Sequence, residues 1–395
     1  MKKILILNPF LPTLGGGEKY MGYLCLFLEK YYSDARIDIL VHNYLNINIR
    51  DKNYIGLNKL IERFGLKLEK TNIIKFDLMK TNSLIDIHKN KTAIEKISSK
   101  YDIFIDIMYC SKHAGKAKKN IYICMFPPRK NEDIAKTFAI KLAMKYVNWR
   151  FHRSYNYFIA ISDYSNYWLS RYWGKSNKYR IIPPPVFLEK DIVNNYDEAS
   201  KENIILSVGR FFLGSHSKKQ LDLAEFFINN IEKLRGYELH LAGGLANTEH
   251  DIEYVERIKK IIGSHPVFIH TNAKTEDIVS LYMKAKVFWH ASGFGEDIEI
   301  EPDKAEHFGI TTVEAMSYGV VPIVIRKGGQ VEIVTENTGY LWENEAECIE
   351  KTIKIIKDNT LRKELAKNAF ERSRAFSVEA FFENNRKLFE EIENL

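Results

Sequence analysis

The sequence predicts an α/β protein made of two Rossmann-like, doubly wound parallel-sheet domains. Three observations predict it. In both halves, short runs rich in Ile, Leu, Val and aromatics alternate with amphipathic stretches of helical period. The alternation breaks once, at Pro183-Pro184-Pro185 and the polar run Glu189–Asn203. The length, 395 residues, suits two domains of ordinary size. A β-α-β-α order covers both faces of a parallel sheet, so its strands read as continuous apolar runs.

In the first half, Lys3–Asn8, Arg36–His42, Ile103–Met108, Ile121–Met125 and Tyr157–Ile161 are expected as buried strands, each followed by turn chemistry. Glu18–Tyr32 and Asp133–Arg153 are expected helices, and Ser162-Asp163 has the chemistry of a helix N-cap. Three consecutive prolines fit neither a helix nor a central strand, so residues 183–185 read as a stiff connector. Beyond it the strands Asn203–Val208, Tyr237–Ala242, Val267–His270, Val287–His290 and Val320–Ile325 alternate with the helices Lys218–Leu234, Thr275–Lys284 and Thr311–Tyr318. The expected domains are therefore 1–187 and 188–377. The last helical stretch, 378–395, follows the completed second sheet. Two such domains facing across a cleft would collect ligands where strand ends and helix N-termini meet.

Composition removes several classes. Hydrophobic residues at 45% and only ten prolines exclude disordered, collagen-like and repeat chains. Cys25, Cys110, Cys124 and Cys348 are scattered without a C-x-x-C pair, which argues against a disulfide framework or zinc site and for a reducing compartment. The first apolar run, Ile4–Leu7, falls short of the roughly 7–15 residues of a secretory signal and the about 20 of a membrane span. A cytoplasmic location is expected, with peripheral contact at the cytoplasmic membrane face. Charge is uneven: residues 1–190 hold 33 Lys+Arg against 16 Asp+Glu, and residues 191–395 hold 25 against 35. The basic half could face nucleic acid, but it lacks any helix-turn-helix, zinc-finger or RNP pattern, so no nucleic-acid partner is expected.

Three motifs carry chemistry. Gly15-Gly16-Gly17 follows the first strand and precedes a helix, where backbone can approach a phosphate; a plain tight turn explains it equally. Its spacing is not that of a dinucleotide fingerprint. Ser207-Val208-Gly209-Arg210 puts a cation just past a strand end, and Lys218-Lys219 adds positive charge at the next helix. Two cations at one strand end suit a diphosphate, or else are a solvated pair. Most specific is Glu306-His307-Phe308-Gly309-Ile310-Thr311-Thr312-Val313-Glu314, which opens a helix after an acidic loop. Free N–H groups at Gly309, Ile310 and Thr311 would point at an anion, while Glu306 and Glu314 would address hydroxyls. The plainer reading makes Glu314 a first-turn dipole partner and Glu306 a solvated loop acid.

With seven residues between Glu306 and Glu314, this segment resembles the E-x7-E motif of retaining glycosyltransferases of the two-Rossmann (GT-B) type, family 4, or group 1. Val320-Val321-Pro322, Gly328-Gly329-Gln330-Val331-Glu332, Leu241-Ala242-Gly243-Gly244, Gly209-Arg210 and the early glycines are similar too. The Glu-His-Phe-Gly-Ile wording resembles a subgroup that includes mannosyltransferases elongating lipid-linked glycans. The resemblance implies that Glu306 holds donor-sugar hydroxyls and Glu314 the ribose. It implies that Arg210 and Lys218, with Lys219 as rival, neutralise the leaving diphosphate. Gly16, Gly17, Gly309, Ile310 and Thr311 would flank the same phosphates, and the C-terminal helix would cross back to the first domain. No D-x-D follows a strand, so no metal and no cofactor beyond a nucleotide sugar is expected. One position departs: where the family carries a His in H-x-P, this chain has Met125-Phe126-Pro127. Met is a poor hydrogen-bonding substitute. His113 is a candidate replacement, and His113 and Arg129 are the candidates on the acceptor side. A catalytically silent nucleotide-sugar binder of the same fold is the alternative that Met125 leaves open.

The acceptor would be a glycan or a lipid-linked saccharide. Ile134, Phe138, Leu142, Tyr146 and Trp149 recur at four- and three-residue spacing, with Lys136, Lys141, Lys145, Arg150 and Arg153 around them and a basic loop at Lys112, Lys116, Lys118 and Lys119. Such a helix can dock on an anionic membrane, or the stripe can pack on the protein's own sheet.

Overall fold

A computed structural model describes residues 1–8, 15–42, 57–77, 84–129, 137–186, 200–214, 216–246 and 248–395. The chain forms two compact units, Met1–Pro185 with Phe381–Leu395, and Val186–Ala380.

The first unit is a parallel sheet of seven strands among the described residues: β1 (Lys3–Leu7), β2 (Arg36–His42), β3 (Thr71–Phe76), β4 (Ile103–Asp106), β5 (Lys119–Cys124), β6 (Tyr157–Ala160) and β7 (Tyr179–Ile181). Their spatial order is β3-β2-β1-β4-β5-β6-β7. Helices α1 (Gly16–Tyr31), α2 (Leu57–Phe64), α3 (Leu84–Ser98), α4 (Phe138–Ser154) and α5 (Asp163–Trp173) lie between them. Ile4 to Leu7 are fully buried, as a central strand with both faces covered requires. The two strands that the sequence pattern did not announce, β3 and β7, are the edges of this sheet. Both have partly exposed residues and so lack a continuous apolar run.

The expected helix Asp133–Arg153 is seen from Phe138, after Thr137 Oγ1 accepts from the Ile140 N–H at 3.4 Å; residues 133–136 lie outside the described residues. Ser162 caps α5 through the Ser165 N–H at 2.9 Å. Pro183–Pro185 are irregular, Val186 forms an isolated bridge to Ser377, and most of the polar run Glu189–Asn203 lies outside the described residues.

The second unit repeats the plan with β8 (Ile204–Val208), β9 (Glu238–Gly243), β10 (Val267–Thr271), β11 (Val287–His290), β12 (Val321–Ile325) and β13 (Tyr340–Trp342), all parallel, in the order β10-β9-β8-β11-β12-β13. Its helices are α6 (Gln220–Asn229), α7 (Glu249–Ile262), α8 (Thr275–Lys284), α9 (Ile310–Ser317), α10 (Gln330–Ile333), α11 (Glu345–Lys357) and α12 (Asn359–Ser373). The expected helix Lys218–Leu234 is shorter at both ends: Lys218 and Lys219 precede it, and Asn230–Leu234 form hydrogen-bonded turns. Helix α13 (Val378–Glu393) ends the described fold, and from Phe381 onward it belongs to the first unit.

In both sheets the chain winds outward in one direction, returns to the centre and winds the other way. The reversal falls between β1 and β4 in the first sheet and between β8 and β11 in the second. Loops leaving the carboxyl ends of such neighbouring strands diverge and leave a crevice, which makes these the positions for ligands.

Candidate active site

In the second unit, three segments meet at that reversal. β8 leads into Gly209-Arg210, β11 ends at His290, and the chain then passes a 3-10 turn at Pro302–Lys304 before Glu306 and α9. The Gly209-Arg210 turn is held from two sides. The Gly209 N–H donates to Ala242 and the Phe211 N–H to Gly244, while Gln220 Nε2 donates to the Gly209 and Arg210 carbonyls at 3.0 Å each. A Cβ on Gly243 would stand 1.9 Å from the Gly209 oxygen, so only glycine lets β9 approach this closely. That is the physical content of the Leu241-Ala242-Gly243-Gly244 run. Arg210 itself is exposed, lies 5.9 Å from the Phe212 ring, and pairs with no carboxylate among the described residues.

Glu306 is the centre of the cluster. Its Oε2 is paired with Lys218 Nζ and lies 3.0 Å from His290 Nε2. The Ser292 N–H points at His290 Nδ1 at 3.4 Å, so the imidazole proton sits on Nε2 and is donated to Glu306. Burial alone would raise the Glu306 carboxyl, but Lys218 and His290 outweigh it and hold it well below the usual carboxylate range. Burial likewise pulls His290 below the ordinary imidazole value, against the attraction of Glu306, and keeps the ring neutral near pH 7. Glu306 is thus an ionised carboxylate with Oε2 engaged; it is not the solvated loop acid of the plainer reading.

Lys218 and Lys219 enter two separate ion pairs. Lys218 takes Glu306, whereas Lys219 Nζ pairs with Glu296 at 2.8 Å. Glu296 also takes Lys304 at 2.9 Å, and these two lysines hold its carboxyl below the usual range. Lys219 has φ 57°, a left-handed backbone unusual for a lysine, at the cap of α6.

Gly309, whose φ is 125°, precedes helix α9 as its N-cap residue, and no side chain caps the helix. The N–H groups of its first turn, including Ile310 and Thr311, therefore present partial positive charge just past Glu306. Below this turn, Gly328-Gly329 pack against the backbone of Glu306–Phe308: the Gly329 N–H donates to the Glu306 carbonyl at 2.7 Å. Glu314 is not a first-turn dipole partner. It is the fifth residue of α9 and accepts from Tyr282 OH at 3.2 Å. His307 meets His216 edge to face at 4.6 Å, and burial pushes it down to about 3.

The acidic loop is held within itself. Asp297 accepts from the Glu299 N–H at 3.0 Å, and Glu301 pairs with Lys304. Sequence reasoning missed Glu296 and Tyr282, neither of which has a motif, and at His290 a cleft-lining histidine and a satisfied core histidine fit the sequence equally. The place of His290 as the last residue of a strand before the Glu306 loop was the available signal.

The first-unit candidates occupy loops after β1, β4 and β5. Gly15 starts α1, its N–H donating to Glu18 at 2.9 Å, and Gly16 and Gly17 form the first turn. A Cβ on Gly17 would stand 4.0 Å from Met125 Cε, so Met125 lies beside the glycine turn. His113 is buried, and burial pushes it down to about 4; its Nδ1 has no partner among the described residues. Its carbonyl accepts from Tyr155 OH, which also bonds Asp106 at the end of β4. Arg129 is exposed and donates to Tyr172 OH at 3.3 Å. Lys112 does not extend the basic loop, because it lies 4.4 Å from the Trp173 ring. Among the described residues no group of three or more His, Cys, Asp or Glu could hold a metal ion, and no helix is long and apolar enough to cross a membrane.

Two parallel-sheet Rossmann-like units with this arrangement of strands constitute the GT-B fold of glycosyltransferase structures. The chain superposes on Anabaena HepE, solved with UDP and glucose, with a TM-score of 0.67 over 100% of both chains at 18% identity. A glycosyltransferase from Rickettsia africae gives 0.71 over 99% of this chain and 98% of that one, at 19% identity. Residues 189–372, within the second unit, match the family described as glycosyl transferases group 1. Curated relatives include the trehalose synthase of Pyrococcus horikoshii, 28% identical over 50% of this chain and 49% of the relative. Another is the GDP-Man:Man(3)GlcNAc(2)-PP-Dol alpha-1,2-mannosyltransferase of Caenorhabditis elegans, 28% identical over 54% and 46%. The chain spans about half the length of these curated relatives.

Proposed function

We propose that the protein is a retaining, metal-independent glycosyltransferase of the family 4 type. It would move a hexose-type sugar from a nucleoside diphosphate sugar, GDP-mannose or a UDP-sugar, to a glycan or lipid-linked saccharide in surface polysaccharide or glycoconjugate synthesis. The observation that carries this reading is the meeting of Glu306, Lys218 and His290 beside the uncapped start of α9. The matched family and the relatives' names support the class. The Caenorhabditis elegans relative has GDP-Man in its name and HepE was solved with UDP-glucose, which keeps both donors in view.

In this reading the second unit binds the donor and the first the acceptor. The bond between the sugar C1 and the diphosphate oxygen breaks, leaving an oxocarbenium-like sugar and negative charge on the β-phosphate. Arg210, Lys218 and the N–H groups of Gly309, Ile310 and Thr311 stabilise that charge; one such donor is worth about 3–4 kcal/mol. Lys219 is the reserve cation, and Gly16 and Gly17 would flank the phosphates. Glu306 accepts from sugar hydroxyls through its open oxygen, held by His290, and Glu314 accepts from the ribose. The acceptor hydroxyl attacks C1 on the face that the diphosphate leaves, and its proton passes to the departing phosphate oxygen. His113 and Arg129 belong to the acceptor side.

The test is a panel of UDP-, GDP- and dTDP-sugars, followed by thermal stabilisation and slow donor hydrolysis without acceptor. Stabilisation and hydrolysis by one donor, with hydrolysis lost about 100- to 1,000-fold in Glu306→Ala, is expected. No stabilisation by any nucleotide sugar would overturn the diphosphate site. Binding without turnover, even with saccharide acceptors present, would make the protein a silent binder.

A further inference from the structure

The apolar stripe of α4 is turned away from the protein. At about 100° per residue, Phe138, Leu142, Tyr146 and Trp149 fall within about 80° of one another around the helix. They are 81%, 60%, 61% and 54% exposed. Phe151 leaves the opposite side of the helix and is fully buried against Tyr122, Tyr155, Phe158 and Trp173. The helix is therefore anchored by one face and presents a second apolar face that the described chain does not cover. Ile134 and Lys136 lie outside the described residues.

The charge around that face has one sign. Phe138–Ser154 contains no acidic residue; Lys141 and Lys145 flank the stripe on one side and Arg150 on the other, and Arg153 continues its line one turn beyond Trp149. Arg150 is paired with Glu95, and Arg153 lies 5.3 Å from the Trp149 ring. Lys141 and Lys145 are exposed and pair with no carboxylate among the described residues.

We propose that this face of α4 docks in the surface of an anionic bilayer. Phe138, Leu142, Tyr146 and Trp149 enter the boundary between headgroups and acyl chains, and Lys141 and Lys145 lie among the lipid phosphates. Tyr and Trp suit that boundary because one end of each ring is apolar and the other polar. A second copy fits less well, since a two-fold contact through this face would set Lys141 and Lys145 against the same residues of the copy. The inference does not depend on the transferase reading, because docking requires no nucleotide sugar.

Trp149 is the one exposed tryptophan of the five, so its fluorescence reports the helix. The full chain is titrated with vesicles of phosphatidylcholine alone and of phosphatidylcholine mixed with phosphatidylglycerol. A blue shift and co-sedimentation with the anionic vesicles are expected. Lys141→Gln and Lys145→Gln should each weaken binding about fivefold. Leu142→Ser with Trp149→Ser, read by sedimentation, should weaken it at least about tenfold without changing the circular dichroism. Absence of anionic-vesicle binding, or undiminished binding by both sets of variants, would overturn the proposal. So would equal binding to neutral vesicles. A lipid-free dimer abolished by the Leu142 and Trp149 changes would assign the face to a second copy instead.

Discussion

Glu306 has its ionisation fixed by its neighbours rather than by water. Burial works to protonate it, and Lys218 and His290 together overcome burial. His290 is the residue whose contribution can be separated, because Lys218 also serves the phosphate in the proposed reaction. Removing His290 takes away a contribution that lowers the carboxyl, so the Glu306 pKa rises while still held by Lys218. Activity that needs the ionised carboxylate is present above that pKa and lost as pH falls through it. In His290→Ala the acid limb of donor hydrolysis should therefore move to higher pH, with turnover about 10- to 100-fold lower. A reduced rate with an unmoved limb would make His290 a packing residue only. Nothing in the sequence distinguished these roles, since a histidine closing a buried strand looks the same in either.

At the scale of elements, the loop from Glu306 to Gly309 is shaped from below. Gly328 has φ 65° and a Cβ there would stand 2.2 Å from the Glu306 oxygen; one on Gly329 would stand 2.5 Å from the Phe308 backbone. Backbone cannot yield as a flexible side-chain tip can. Gly329→Ala should destabilise the second unit by about 1–3 kcal/mol and loosen the position of Glu306. Thermal unfolding checks the first effect, and donor binding the second. Unchanged stability would show that the turn has room to shift. The elements legible in the sequence were the central strands, such as Ile4–Leu7 and Val287–His290, whose burial on both faces leaves continuous apolar runs. The edge strands Thr71–Phe76, Tyr179–Ile181 and Tyr340–Trp342 escaped notice because they are short or partly exposed.

At the scale of the whole molecule, the chain returns from the second unit to complete the first. Phe381 meets Tyr20 edge to face at 5.0 Å, and Phe382 and Phe389 lie 5.7 and 5.6 Å from Phe27 of α1. Phe381, Leu388, Phe389 and Ile392 are buried. Each such side chain contributes about 1.5–3 kcal/mol, which together is comparable to the whole stability of a domain, about 5–15 kcal/mol. A chain ending at Ala380 should keep the unfolding transition of the second unit and lose a cooperative transition in the first. Calorimetry of the two chains tests it. Two transitions of unchanged enthalpy in the shortened chain would mean that the last helix is dispensable.

The sequence by itself determined the two-sheet plan and the segments on which Arg210, Lys218, Glu306 and Glu314 lie. Those are local properties: apolar runs, turn residues and spacing within a few residues of one another. Only the tertiary structure decided that Lys218 pairs with Glu306 and Lys219 with Glu296, that His290 donates to Glu306, and that the α4 stripe faces away from its own sheet. These depend on which strand ends become neighbours in the sheet and on which side of a helix is already occupied by Phe151. Residues as far apart in the chain as 218 and 306 meet because β8 and β11 are adjacent strands, a pairing that no local pattern encodes.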